Sequence, residues 1–276
     1  MRLSRRSSVG SGVSPRRTSA LVLLSATVAS AVSYAFAFPP LGLSLLAWVA
    51  LVPLFASLVR CGPLGGFALG WTWSLIVGLG TSSWLPRMVS EYFGMGMVDG
   101  WATAIVAILM TGVFYAFFGG WLAWVSRRRK PTPLLAALAW GACEYGRTLG
   151  PLANPWVMSG YTQGPASVVA QLGDLGGSIG IGMLLAGVNA SVASLVDPSW
   201  RSRQPFRTIV TMGVVVAAVL AYGAWRLQEH FGEEAPVRVA LVQSAIPREQ
   251  RFNVNYRAEK LSNHVDLTAR AARERP

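Results

Sequence analysis

The 276-residue chain is 53% hydrophobic and 13% charged, against about 25% charged residues in a soluble domain, which excludes both an ordinary soluble enzyme and a disordered polymer. Its 24 Lys and Arg against 12 Asp and Glu give a net charge of +12. The basic residues stand in short clusters between long apolar runs, the placement of a polytopic membrane protein and not of a nucleic-acid-binding domain.

Residues 1–19 form a basic head, and the apolar bundle predicted over 20–227 contains seven stretches near the roughly 20 residues that a transmembrane helix needs. They run from Ala20 to Phe38, Leu41 to Val59, Leu64 to Leu85, Trp101 to Ser126, Pro133 to Leu149, Ser167 to Val196 and Thr208 to Leu227. Prolines mark the breaks: Pro39-Pro40, Pro63, Pro86, Pro131, Pro165 and Pro198. Alternate connections carry the basic residues, namely the head, Arg60, the run Arg127 to Lys130, and Arg201, Arg203 and Arg207; the opposite connections hold Arg87 and Arg147. Because the cytoplasmic side retains such an excess, the head is expected in the cytoplasm and the segment after Leu227 outside it. The first span has a second reading, since a basic head, an apolar run and Ala35-Phe36-Ala37 also describe a cleavable secretory signal.

Residues 228–276 change to soluble-domain composition. Pro236 to Gln243 reads as a short buried strand. From Asn253 onward, Val254, Ala258, Leu261, Val265, Thr268 and Ala272 recur at alternating spacings of four and three, one face of an amphipathic helix. One strand and one helix cannot enclose a core, so this segment is expected to open a larger αβ domain.

Few residues in the spans carry chemistry. Glu144 and Arg147 lie three apart and share a helix face. They read either as a self-neutralising pair that orients the helix end or as a contact for a polar lipid or substrate group. The connection from Gly150 to Pro165 carries Trp156, Tyr161 and Gln163, whose aromatic members suit a membrane boundary. Asp174 stands at the start of the sixth span among glycines that permit close packing, and the 11 tryptophans are assigned mainly to interfaces. Glu91, Met95, Met97 and Asp99 read as a solvated loop. His230 and His264 have no neighbour at metal-ligand spacing, the two cysteines Cys61 and Cys143 form no CxxC pair, and no Walker, HExxH or GxSxG motif occurs. No metal and no cofactor is expected.

Taken in order, Phe36-Ala37-Phe38-Pro39-Pro40, Leu51-Val52-Pro53-Leu54, Glu144-Tyr145-Gly146-Arg147, Asn154-Pro155-Trp156, Gly160-Tyr161-Thr162-Gln163, Asn189-Ala190 and the run Val239 to Pro247 resemble the apolipoprotein N-acyltransferases of bacterial lipoprotein maturation. The resemblance implies a membrane bundle of about seven helices followed by the first strand and helix of a nitrilase-like αββα domain, in the bacterial inner membrane. It implies transfer of an acyl chain from a phospholipid to the lipidated N-terminal cysteine of an apolipoprotein. A Glu would act as base, a Cys would carry the thioester and a Lys would steady the oxyanion. In the family these three follow the helix at the end of this sequence, so none is assigned here. The chain is accordingly expected to be inactive alone, as a fragment or as one half of a split enzyme whose partner chain completes the domain. Glu144, Arg147, Trp156, Tyr161 and Gln163 would line the region beneath the active site, and Phe252 the acyl-chain entrance. The contrasting expectation is a non-enzymatic transporter or scaffold.

Overall fold

The computed structural model describes residues 19–150, 153–164, 167–200, 202, 204–228, 239–247, 250 and 253–273. Among them the regular elements are all helical: α1 (Ala20–Phe36), α2 (Val52–Leu58), α3 (Pro63–Thr81), α4 (Leu85–Phe93), α5 (Met97–Arg128), α6 (Pro133–Gly146), α7 (Gly173–Val196), α8 (Pro205–Gln228) and α9 (Arg257–Arg273), with short 3-10 stretches between. Local chemistry sets the boundaries. Ser19 and Thr132 accept the Leu21 and Leu135 amides at the starts of α1 and α6. Prolines occupy the first turns of α2, α3, α4 and α6, and Gly94, at φ 65°, ends α4 in the left-handed conformation.

Four segments are long and apolar enough to cross a membrane: Pro63–Thr81, Met97–Arg128, Val169–Val196 and Pro205–Gln228. That is a coarser result than the seven expected. Helices α1 and α6, of 17 and 14 residues, are apolar but shorter. The second expected span is not one helix; it divides into a 3-10 stretch, Ser44–Trp48, and the seven residues of α2. Asn189 of α7 fills the gap, its Oδ1 accepting the Leu51 amide at 2.8 Å while Nδ2 donates to the carbonyls of Ala47 (2.9 Å) and Leu185 (2.8 Å). The Leu51 amide and the Ala47 carbonyl are backbone groups that an unbroken second helix would satisfy internally. Asn189→Ala takes the side-chain partner from both and is expected to cost about 2–3 kcal/mol. A thermal-unfolding midpoint unchanged in mild detergent would show that the break needs no side chain to hold it.

The strand expected over Pro236–Gln243 is not formed in its described part. Residues 239–243 have no regular structure, and Val239 and Leu241 are exposed. A strand needs a ladder partner, and the described residues contain no second one. Helix α9 forms where the apolar spacing placed it, preceded by a 3-10 turn at Val254–Tyr256. Its apolar side stays uncovered, with Leu261 66% exposed.

Two features organise the bundle. Helices α3 and α5 touch backbone to backbone, because Gly66 and Gly70 face Gly119 and Tyr115 so closely that a Cβ at Gly66, Gly70 or Gly119 would collide with a carbonyl oxygen of the other helix. Beside this crossing an aromatic cluster fills the centre. Trp140 lies 5.1–6.0 Å, ring to ring, from Phe118, Tyr115, Trp73 and Phe55. Trp73, Trp140 and Trp200 are fully buried, so the assignment of tryptophans to interfaces fails for these three.

The basic connections meet at one end. Arg60 pairs with Asp197 (2.9 Å), Trp200 Nε1 donates to the Pro131 carbonyl (2.5 Å), Arg127 lies against Gly62, and Ser57 reaches back to the first turn of α1 (3.3 Å). The Trp156 connection lies at the opposite end, where the rings of Trp84 and Trp156 meet at a tilt of 55° with centroids 5.0 Å apart.

Candidate functional site

Glu144 and Arg147 sit on the last turn of α6, both buried. They form no ion pair with each other; each takes hold of the following connection. Glu144 Oε1 accepts the Ser159 amide and the Ser159 hydroxyl, both at 2.6 Å. With its proton given to Glu144, Ser159 Oγ accepts from Trp140 Nε1 (2.8 Å) and from the Tyr34 hydroxyl (2.7 Å), so every hydrogen-bonding position of this hydroxyl is used. Arg147 donates to the Tyr115 hydroxyl (2.6 Å), to the Asn154 carbonyl (3.0 Å) and to the Trp156 carbonyl. Asn154 closes the arrangement by donating to Thr111 (2.9 Å) and accepting the Trp156 amide (3.2 Å).

The consequence is a connection fixed at both ends of a strained residue. Val157 has φ 60°, a left-handed conformation that a β-branched side chain strongly disfavours. Arg147 holds the carbonyl before it and Glu144 the amide two residues after it. Gly160 and Gly182 let this connection, α6 and α7 close up: a Cβ at Gly160 would meet the Ser178 carbonyl, and one at Gly182 would meet Glu144 Oε2. That oxygen and Arg147 Nε are buried without a hydrogen-bond partner among the described residues.

The expected site residues therefore separate into two groups. Glu144, Arg147 and Gln163 are internal. Gln163 donates to the Thr162 hydroxyl (3.0 Å) and the Ser44 carbonyl (3.3 Å), tying the connection to the broken second segment. Trp156 and Tyr161 are 46% and 51% exposed and are the members able to meet a ligand. Between Trp156 and the bundle, Thr81, Ser82, Thr111 and Asn154 border a small crevice of about 30 Å³, room enough for water. Phe252 lies outside the described residues, as does His230.

The other candidates have structural employment. Asp174 pairs with Arg226 (2.6 Å), Glu91 pairs with Arg87 (2.6 Å), and Asp99 caps α5 by accepting the Gly96 amide (3.1 Å). Cys61 is half-buried in the connection before α3, and burial pushes its thiol above the ordinary range, the opposite of what a nucleophile needs. No group of three potential metal ligands occurs among the described residues. Sequence reasoning missed Tyr34, Tyr115, Trp140 and Ser159. Trp140 carried a usable signal, four residues before Glu144 on the same helix face; Tyr34, over a hundred residues from Ser159, carried none.

The sequence profile described as "Apolipoprotein N-acyltransferase N-terminal domain" matches residues 30–191, a range that contains this whole arrangement. Among curated proteins, the chain is similar to apolipoprotein N-acyltransferases of Geobacter metallireducens, 28% identical over 95% of this chain and 50% of the relative, and of Chromobacterium violaceum, 29% identical over 87% and 46%. The protein of the same name in Methylococcus capsulatus is 26% identical over 84% of this chain and 46% of its own length. The chain thus spans about half the length of the curated relatives it matches.

Proposed function

The chain belongs to the apolipoprotein N-acyltransferase family, and on that premise we propose that it supplies the membrane half of an enzyme that moves an acyl chain from a phospholipid to the lipidated N-terminal cysteine of an apolipoprotein. The observation that carries this reading is the double clamp on the Trp156–Tyr161 connection. A membrane protein that spends two buried charged side chains and a strained valine on one short connection is holding that surface for use. Glu144, Arg147 and Gln163 act as positioning residues. Trp156 and Tyr161 meet the lipid substrates at the membrane boundary, and Phe252 borders the acyl-chain entrance.

In this reading α1, the broken second segment, α3, α5, α6, α7 and α8 make seven crossings. The gathering of the basic connections at one end supports a cytoplasmic N-terminus, an extracytoplasmic position for residues 228–276 and residence in the inner membrane. The base, nucleophile and oxyanion-stabilising groups come from a polypeptide segment beyond these 276 residues, in the same or a separate chain. Acyl transfer through a thioester on that segment is then a two-step exchange, with the bundle keeping both lipid substrates at one depth.

The test is a fusion of this chain to the second half of the Geobacter metallireducens relative, produced in cells depleted of their own N-acyltransferase. A diacylglyceryl lipoprotein is expected to gain one acyl chain, read as a mass increase, with no gain from the 276 residues alone. Trp156→Ala combined with Tyr161→Ala is expected to lower the rate at least tenfold. A fusion that reaches the membrane and acylates nothing would overturn the proposal.

A further inference from the structure

A second cavity lies at the other end of the bundle, where the proposed acyl transfer has no use for it. Helix α8 is fastened at its far end: Arg226 and Tyr222 reach Asp174 at 2.6 and 3.3 Å, and Gly223 lies against the Val168 carbonyl. At the basic end Ser202 donates its amide to the Ser194 carbonyl (2.8 Å) and shares a hydrogen bond with Thr208 (3.0 Å). Between these fastenings Val216 and Val219 pack on the cluster that contains Leu184 and Leu185, and Met212 comes close to Gly187, but the rest of α8 leaves a gap towards α6 and α7, its one buried residue being Gly223. The space left is a groove of about 1200 Å³.

The groove has two chemistries in a fixed order. Arg128, Arg129, Lys130 and Arg207 surround its mouth, with Ser202 and Gln204 beside them; the walls beyond are Leu134, Met183, Leu184, Met212, Val215 and Val219. No carboxylate lines it among the described residues. Arg128 stacks on Trp124 at 3.9 Å and Arg207 donates to Gln204 at 2.7 Å, neutral partners that leave their charge available to an anion. From Arg207 to Val219 is twelve residues, about 18 Å of helix. One leaflet of the hydrocarbon core is half of roughly 30 Å. The groove therefore matches a single lipid in charge sequence, depth and orientation.

We propose that this groove binds an anionic phospholipid of the leaflet at the basic end, its phosphate among the four cations and an acyl chain between α7 and α8. The charge at the mouth and its distance from the apolar walls select an amphiphile with a net negative headgroup over a zwitterionic one of equal chain length. The bound lipid completes the contact of α8 with the bundle and is distinct from the acyl donor, which the Trp156 connection meets at the opposite end. The inference stands independently of the acyl-transfer reading.

The test uses the purified full chain in mild detergent, mixed with dioleoyl phosphatidylglycerol or dioleoyl phosphatidylcholine and examined by native mass spectrometry. One phosphatidylglycerol is expected to remain bound, at least tenfold in preference to phosphatidylcholine. The preference is expected to fall with added salt, and the variant R128Q/R129Q/K130Q/R207Q is expected to lose it. Thr211→Trp, which fills the groove from exposed Thr211 without changing charge, is expected to expel both lipids and keeps the test open if the fourfold variant does not fold. Equal retention of the two lipids, retention undiminished in Thr211→Trp, or no retained lipid because a polypeptide segment fills the groove would each overturn the proposal.

Discussion

Glu144→Ala is expected to release the Trp156–Tyr161 connection and to destabilise the bundle by roughly 3–5 kcal/mol, because two hydrogen bonds to a charged acceptor disappear and the Ser159 amide is left buried without a partner. The loss extends further, since the Ser159 hydroxyl is the meeting point for Trp140 of α6 and Tyr34 of α1. Once the carboxylate is gone, nothing on the amide side holds Val157 in its left-handed conformation. Glu144→Gln is the informative partner. It retains an acceptor where Oε1 stands and is expected to keep most of the stability, although its amide nitrogen enters the partnerless position of Oε2 beside Gly182. Thermal unfolding in detergent and protease cleavage between Asn154 and Gly164 measure the two effects. In the fusion described above, Ala is expected to abolish acylation while the protein still reaches the membrane. Equal behaviour of Ala and wild type would remove Glu144 from any role in the site.

A comparable effect is expected from a purely steric change. Gly119→Leu places a side chain against the Gly66 carbonyl, and Gly66→Leu does the reverse against Gly119. A side chain in the way can rotate, whereas a helix backbone cannot, so the two helices must separate. Overpacking in an interior that can adjust costs about 1–3 kcal/mol, and this crossing lies at or above the upper end of that range. The α3–α5 pairing also supports the ring contacts of Trp73 with Tyr115 at 5.1 Å, so its loss spreads into the aromatic centre. Gly213→Leu is the control, because nothing lies within 4 Å of a Cβ at Gly213 on α8. Gly119→Leu is expected to abolish the folded peak in size-exclusion chromatography and Gly213→Leu to leave it intact. Loss of both would mean that the membrane tolerates leucine poorly at any helical glycine here.

The apolar runs were legible because the requirement they answer is local: a helix in hydrocarbon satisfies its own backbone and needs only enough apolar residues in a row. Met97–Arg128 and Pro205–Gln228 follow from that alone. The break inside the second segment was not legible, since what permits it is Asn189, 138 residues away from Leu51. The strand over Pro236–Gln243 shows the converse limit. Its residues have the right composition, but pairing is a property of two segments and the second is not among those described.

In the same way the sequence placed Glu144 and Arg147 on one helix face and left open whether they attract each other or something else. Three-residue spacing is compatible with an ion pair, and the structure gives each a separate task because the Ser159 amide comes within reach of Glu144 and the Trp156 carbonyl within reach of Arg147. Composition and period thus determined, without help, that the chain has the apolar helices of a membrane protein and roughly where the four longest of them lie. Tertiary structure alone decided which glycines are crossings, which tryptophans are core, and that two buried charges hold a connection in place of one another. The division has one physical cause. Hydrophobic burial sums over neighbouring residues and can be read along the chain, whereas the directional bonds and close contacts that make the site depend on groups brought together from distant parts of it.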